Sequence, residues 1–325
     1  MIARLRGVSG GAVPHPGPAP EAFDDPLFGD DFHLALYVCY ELHYRGFAGV
    51  EDGWEWDPTI LGFRRSLERA FTDALREVVA SGPMPPEEVV DALRAISTTE
   101  TSPSLTRYIA THATADQARE LLIHRSVYHL KEADPHTWAL PRLSGRPKVA
   151  LAEIQNDEYG SGRPDRLHAR LFGNSMIALG LDATYGAYVD AVPGVSLGAV
   201  NLMSLFGLHR RWRGATAGHL ALFEMTSSEP NRRLGDGLRR LGFGHDATAF
   251  FDEHVEADSI HEVIALHDLA GALAVAEPDI AGDIVFGARA LDRFDHEVAC
   301  RLVDAWSRGR SSLMEGARSV VHART

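Results

Sequence analysis

Two segments of the chain gather imidazoles and carboxylates at helical spacing. The first reads FFDEHVEADSIHE and carries His254, Asp258 and His261. At about 100° per residue, Asp258 lies about 40° round from His254 and His261 about 20° the other way, so all three project from one face. Phe250, Phe251, Val255, Ile260, Val263 and Ile264 in the same stretch direct this helix to the interior. A buried His/Asp/His face is costly unless it is paired or metal-bound, and mixed imidazole and carboxylate donors suit Fe, Mn or Zn. The second segment reads AEIQNDEYGSGRPDRLHARLF. Asp165 and His168 are one turn apart, and Glu158 would lie nearly in line with Asp165 on an unbroken helix. Gly160, Gly162 and Pro164 interrupt that line. Either the helix bends there, or Pro164 begins a new one. One such pair is ordinary in helical proteins. Two clusters together are how helical bundles build metal sites, with carboxylates and imidazoles projecting inward from facing helices.

Other candidates carry less. His261-Glu262 is followed by a histidine only at His267, too late for the H-E-x-x-H zinc pattern. His267 and Asp268 read as a solvated pair. Glu224, five residues after His219 in an apolar helix, reads better as a satisfied core carboxylate than as a cavity group. Glu41 and His43 point to different helix faces. No phosphate-binding loop, nucleophile elbow or strand-borne dinucleotide fingerprint occurs.

The elements that must position these residues are helical. Periodic apolar patterns run over 31–47, 58–81, 85–96, 105–133, 147–159, 164–180, 183–192, 196–211, 214–228, 230–241, 246–275 and 283–306, separated by Gly and Pro. Alternating strand patterns are nearly absent. The expectation is an all-α bundle of about seven core helices over 105–310, with a proline-rich lead-in over 1–25 and an N-terminal helical extension over 26–100. The Ser/Thr-rich stretch 97–103 reads as the linker between them. The apolar faces of the extension suit either a lid or pairing with a second copy as a homodimer.

Composition narrows the partners. A formal charge of −13 argues against nucleic acid, and no apolar run reaches the length of a membrane span. Cys39 and Cys300 sit in apolar helical patterns and read as reduced structural thiols, which with the absence of an apolar leader pattern points to a cytoplasmic protein.

The combined pattern resembles the haem-oxygenase-like diiron oxidases and oxygenases, the iron-containing redox enzymes. That family places Glu-x6-Glu-x2-His on one core helix and His-x3-Asp-x2-His on another. The second pattern matches at His254, Asp258 and His261. The first matches at Glu158 and His168, with Asp165 where the family usually has Glu, one methylene shorter. The resemblance covers about 105–275 and implies a further carboxylate from a preceding helix, for which Glu132 is the candidate, 26 residues before Glu158. It implies Glu158, His168 and His261 around one iron, and Asp165, His254, Asp258 and Glu132 around the other. The implied chemistry uses two Fe(II) per chain and O2 to oxidise a small organic substrate, by N-oxygenation, desaturation or C–C cleavage, with an external electron donor. A mononuclear iron enzyme, or a non-redox bundle that binds metal as an interaction protein, is the alternative.

Overall fold

Capping and punctuation decide where each periodic stretch becomes a helix. Asp57 accepts from the amides of Thr59 and Ile60 just before Pro58, which starts a helix with φ already set. Thr114 and Gln117 form a reciprocal capping box. The computed structural model describes residues 2–6, 23, 25–99 and 102–315, without the side chains of 3, 4 and 256–259. Most of the lead-in, and Glu100 and Thr101 of the linker, lie outside the described residues.

Among the described residues, twelve longer helices carry the fold. They are α1 Asp30–Glu41, α2 Pro58–Val78, α3 Val89–Ser97, α4 Leu105–Thr111, α5 Ala115–His129 and α6 Gly145–Glu158. There follow α7 His168–Ala178, α8 Gly194–Leu208, α9 Arg213–Met225, α10 Ser228–Arg240, α11 His245–Val263 and α12 Ala281–Ser307. No strand occurs among the described residues. Past α11 the helix continues as a π-helix, Ile264–Gly271, and a last α turn, Ala272–Ala276.

Three boundaries differ from the periodic reading. The stretch 105–133 is two helices, because the Thr114 cap starts a new one. Of 183–192 only a 3-10 turn, Val189–Ala191, is helical. Helix α7 begins at His168, and Pro164 lies in a turn before it.

The bundle closes where small residues let backbones meet. A Cβ on Gly218 of α9 would sit 1.7 Å from Ile284 O of α12, and one on Gly287 of α12 would sit 2.1 Å from Ala215 O. Helix α11 packs against α7, α9 and α10, and the π segment against α6 and α9. The N-terminal helices belong to the same body. Phe32 and Leu36 of α1 and Leu67 and Phe71 of α2 share a core with Phe206 of α8 and Phe294 of α12. Val89 and Leu93 of α3 pack with residues of α9, the π segment and α12.

By length and apolar composition the stretch His245–Ala276 could cross a bilayer. Here it is wedged among the other helices and carries His254 and His261, both buried, whose place in lipid would be costly. Cys39 is buried, Cys300 partly so, and neither is in a disulfide.

Candidate metal centre

The end of α6 is built to turn the chain back on itself. Gly160, Ser161 and Gly162 all have positive φ, at 77°, 50° and 78°. A Cβ on Gly160 would lie 2.5 Å from Arg163 O, so only glycine closes this turn. The reversal delivers the first residue of α7 to the last residue of α6, and His168 Nδ1 lies 3.0 Å from Glu158 Oε2. Both side chains are buried. Asp165 stays behind in the turn, exposed, with its carboxylate 3.4 Å from Arg163. The structure therefore does not bring Asp165 to the other candidates. An in-line Glu158–Asp165 face required a continuous helix, and the glycine turn removes it.

Helix α11 supplies its two histidines as spacing predicts. His254 Nδ1 donates to Phe250 O at 2.8 Å, which leaves Nε2 to point at Glu132 Oε1, 3.7 Å away. The His254 and His168 rings are 4.5 Å apart. One face further along, His261 Nε2 donates to Asp157 Oδ2 at 3.1 Å, and Nδ1 lies 3.5 Å from Glu224 Oε2. The backbone of Asp258 is helical, but its side chain lies outside the described residues. Glu132 sits just past α5. One of its oxygens is 3.5 Å from His129 Nε2, and the other is buried without a hydrogen bond.

These atoms form two groups. Glu132, Glu158, His168 and His254 offer ligand atoms that all lie within 4.8 Å of one another, and so do Glu158, Glu224 and His261. Glu158 belongs to both. His168 thus stands with His254 rather than with His261, a different division from the one the resemblance implies. The seam between the two groups is a carboxylate that could bridge two cations.

The electrostatics fit a cation. Burial pushes the Glu158 carboxyl up, but His168, His254 and His261 overcome it and hold it at about 2. Burial pulls His261 down, yet Glu224, Asp157 and Glu158 raise it to about 9. His168 is also raised, against its burial, chiefly by Glu158. Three buried carboxylates crowd one pocket here, and protons on imidazoles are what balances them in a metal-free chain. Divalent cations do the same while satisfying the unpartnered Glu132 Oε2. Asp157 and the Phe250 carbonyl orient the two α11 imidazoles, as partners of metal-bound histidines do.

Sequence reasoning missed Glu224 and Asp157. Glu224 appears in LALFEM as a lone acid among apolar residues, a pattern equally suited to a core carboxylate. Its position opposite His261 follows from the packing of α9 on α11. His267 and Asp268 lie outside the centre, on Arg94 and Arg146. A cavity of about 1310 Å³ opens beside the first group and is lined in part by Glu132 and His254.

A family profile described as iron-containing redox enzyme matches residues 119–296. Nitrosourea synthase of Streptomyces achromogenes subsp. streptozoticus is 27% identical over 230 residues, 69% of this chain and 49% of that protein. The chain thus spans about half the length of that relative. A crystal structure of a CADD-like protein of unknown function from Nostoc punctiforme superposes with a TM-score of 0.53 at 16% identity, over 67% of this chain and 97% of that one. A second crystal structure of a CADD-like protein from the same organism gives 0.51 at 14%, over 67% and 95%. These likenesses concern the fold.

Proposed function

This chain belongs to the iron-containing redox enzymes, with a haem-oxygenase-like all-α fold, and from that premise we propose that it is a non-haem diiron oxygenase. It would use two Fe(II) per chain and O2 to oxidise a small organic molecule. The observation that carries the reading is the pair of buried ligand groups joined through Glu158. Glu132, Glu158, His168 and His254 would hold one iron, and Glu158, Glu224 and His261 the other. Asp258, between His254 and His261 on α11, is the further ligand that the family pattern implies.

When bound, two ferrous ions supply electrons to O2 and the oxidising power delivered to substrate. The chain's own part is to hold and shield. The Phe250 carbonyl and Asp157 fix the rotations of His254 and His261. Phe172 and Phe250 are fully buried against His129, His168 and His254 and keep bulk water from that side. The large cavity reaches Glu132 and His254, and the substrate would enter there. A nitrosourea carries an N–N=O unit, so the relative of that name favours oxidation at nitrogen over desaturation or C–C cleavage. An external donor would return the irons to the ferrous state in a cytoplasmic setting.

Anaerobic titration with Fe(II) tests this. Saturation near two irons per chain, followed by O2 uptake and a transient visible absorption on mixing with O2, is expected. Saturation at one iron would replace the dinuclear reading by a mononuclear one, and no iron uptake would overturn both.

A further inference from the structure

Lys131 and Glu132 are adjacent in the turn that follows α5, yet they serve different parts of the molecule. Glu132 faces His129 and His254. Lys131 runs instead to α1, only 1% exposed, and its ammonium donates to Glu41 Oε2 at 2.7 Å. Glu41 is the last residue of α1 and is equally buried. The Tyr44 and Tyr37 ring centres lie 4.2 and 4.7 Å from the ammonium. Tyr185 and the Arg45 amide donate to the other Glu41 oxygen. On the far side of Glu132, Ala133 has φ 74°, a left-handed conformation that is costly for alanine. Its carbonyl accepts from Gln155 Nε2 at 2.8 Å, and Tyr159 donates to Asp134 at 2.9 Å. Gln155 belongs to α6, and Tyr159 caps its C-terminal end.

A buried lysine–glutamate pair is a poor source of stability, because desolvating two charges offsets their attraction. Breaking it is costly all the same, since one unpaired charge is left in the interior. What such a pair does fix is the relative place of the two segments that it joins. Here it joins the end of α1 to a strained turn, one residue from a candidate ligand. We propose that the Glu41–Lys131 pair is a positioning device for Glu132. It anchors the turn to the N-terminal helices, so that the Glu132 carboxylate faces His254 before any cation binds. Gln155 and Tyr159 hold the same turn from α6, the helix that ends in Glu158, so the two carboxylates of the first ligand group stay in register. Helix α1 is thereby a working part of the centre without contributing a ligand. The inference rests on the reading of Glu132 as a ligand and concerns only how this chain holds it.

Two variants separate positioning from general support. Glu41→Met alone leaves the Lys131 ammonium buried without its partner and should lower the denaturant midpoint. The double variant Glu41→Met/Lys131→Met replaces the pair by apolar chains of similar length and should keep the wild-type midpoint. The amides of Lys131 and Asp134 donate to Tyr128 O and Lys131 O within the turn. In the metal-free double variant their hydrogen exchange should quicken at least about tenfold, with α12 amides unchanged. Anaerobic calorimetry with Fe(II) should show the Glu132 site weakened at least about tenfold and the Glu224–His261 site within about twofold of wild type. With Co(II) as a spectroscopic probe, the visible absorption of one bound ion should change and that of the other should not. Turn exchange unchanged in the double variant, or iron bound as in the wild type, would overturn the proposal. Equal weakening of both sites, or faster exchange throughout the chain, would overturn it too, by making the pair a general support of the fold. A wild-type chain that takes no iron would sink the oxygenase reading alone, and the exchange rates would still decide whether the pair holds the turn.

Discussion

His254 and His261 each enter the centre with one ring nitrogen committed. His254 gives Nδ1 to the Phe250 carbonyl, and His261 gives Nε2 to Asp157, so the ring planes are set before any metal arrives. Glu224 completes this on the His261 side, 3.5 Å from the nitrogen left over. Asp165, by contrast, is exposed and paired with Arg163, where a surface ion pair contributes little. The two acids should therefore behave oppositely. Glu224→Ala should weaken the second Fe(II) by at least about 100-fold, and Asp165→Ala should change neither iron by more than about twofold. Metal-binding isotherms of the two variants decide it, and equal losses would mean that the turn carrying Asp165 rearranges on binding iron.

Helices α9 and α12 pack on each other, α9 carrying Glu224 of the centre and α12 lining the cavity. Their spacing is set by backbone against backbone. Because the atom facing Gly218 is the Ile284 carbonyl oxygen and not a flexible side chain, Gly218→Ala should force the helices apart and cost about 1–3 kcal/mol or more. Gly62, exposed inside α2 with nothing within 4 Å of its Cβ position, is the matching control. Gly62→Ala should stabilise by about 0.5–1 kcal/mol, because alanine loses less backbone entropy in a helix. Denaturant midpoints would show opposite shifts. A neutral Gly218→Ala would mean that the two helices do not approach as closely as described.

Across the whole molecule, buried histidines tie stability to pH. His33 and His124 belong to neither ligand group, and burial pushes each down to about 4 from an ordinary 6.5. His33 is hydrogen-bonded to Leu27 O and to Asn201, and His124 to Ser196 and Ser312. Above pH 6.5 both are neutral in either state and contribute no pH dependence. Below it, the unfolded chain takes up protons that the folded chain refuses, so stability is lost as pH falls from 6.5 to 4. Each group contributes up to about 1.4 kcal/mol per pH unit in that window. The unfolding temperature should drop steeply between pH 7 and pH 5, and His124→Gln should flatten the slope. A slope unchanged in that variant would mean His124 is protonated in the folded chain.

The types of the candidate ligands and the faces of single helices were set by sequence alone. A period of 3.6 residues places His254 and His261 on one inward side of α11 whatever surrounds it, and the dominance of that period is why an all-α bundle could be read without coordinates. What periodicity does not contain is how one helix is rotated against another, or where the chain goes after a helix ends. The turn at Gly160–Gly162 decided that His168 returns to Glu158 while Asp165 faces water. The packing of α9 on α11 decided that a carboxylate with nothing unusual in its sequence, Glu224, meets His261. Tertiary structure also placed Glu158 in both ligand groups, since sharing one carboxylate requires three helices to converge on it from different directions.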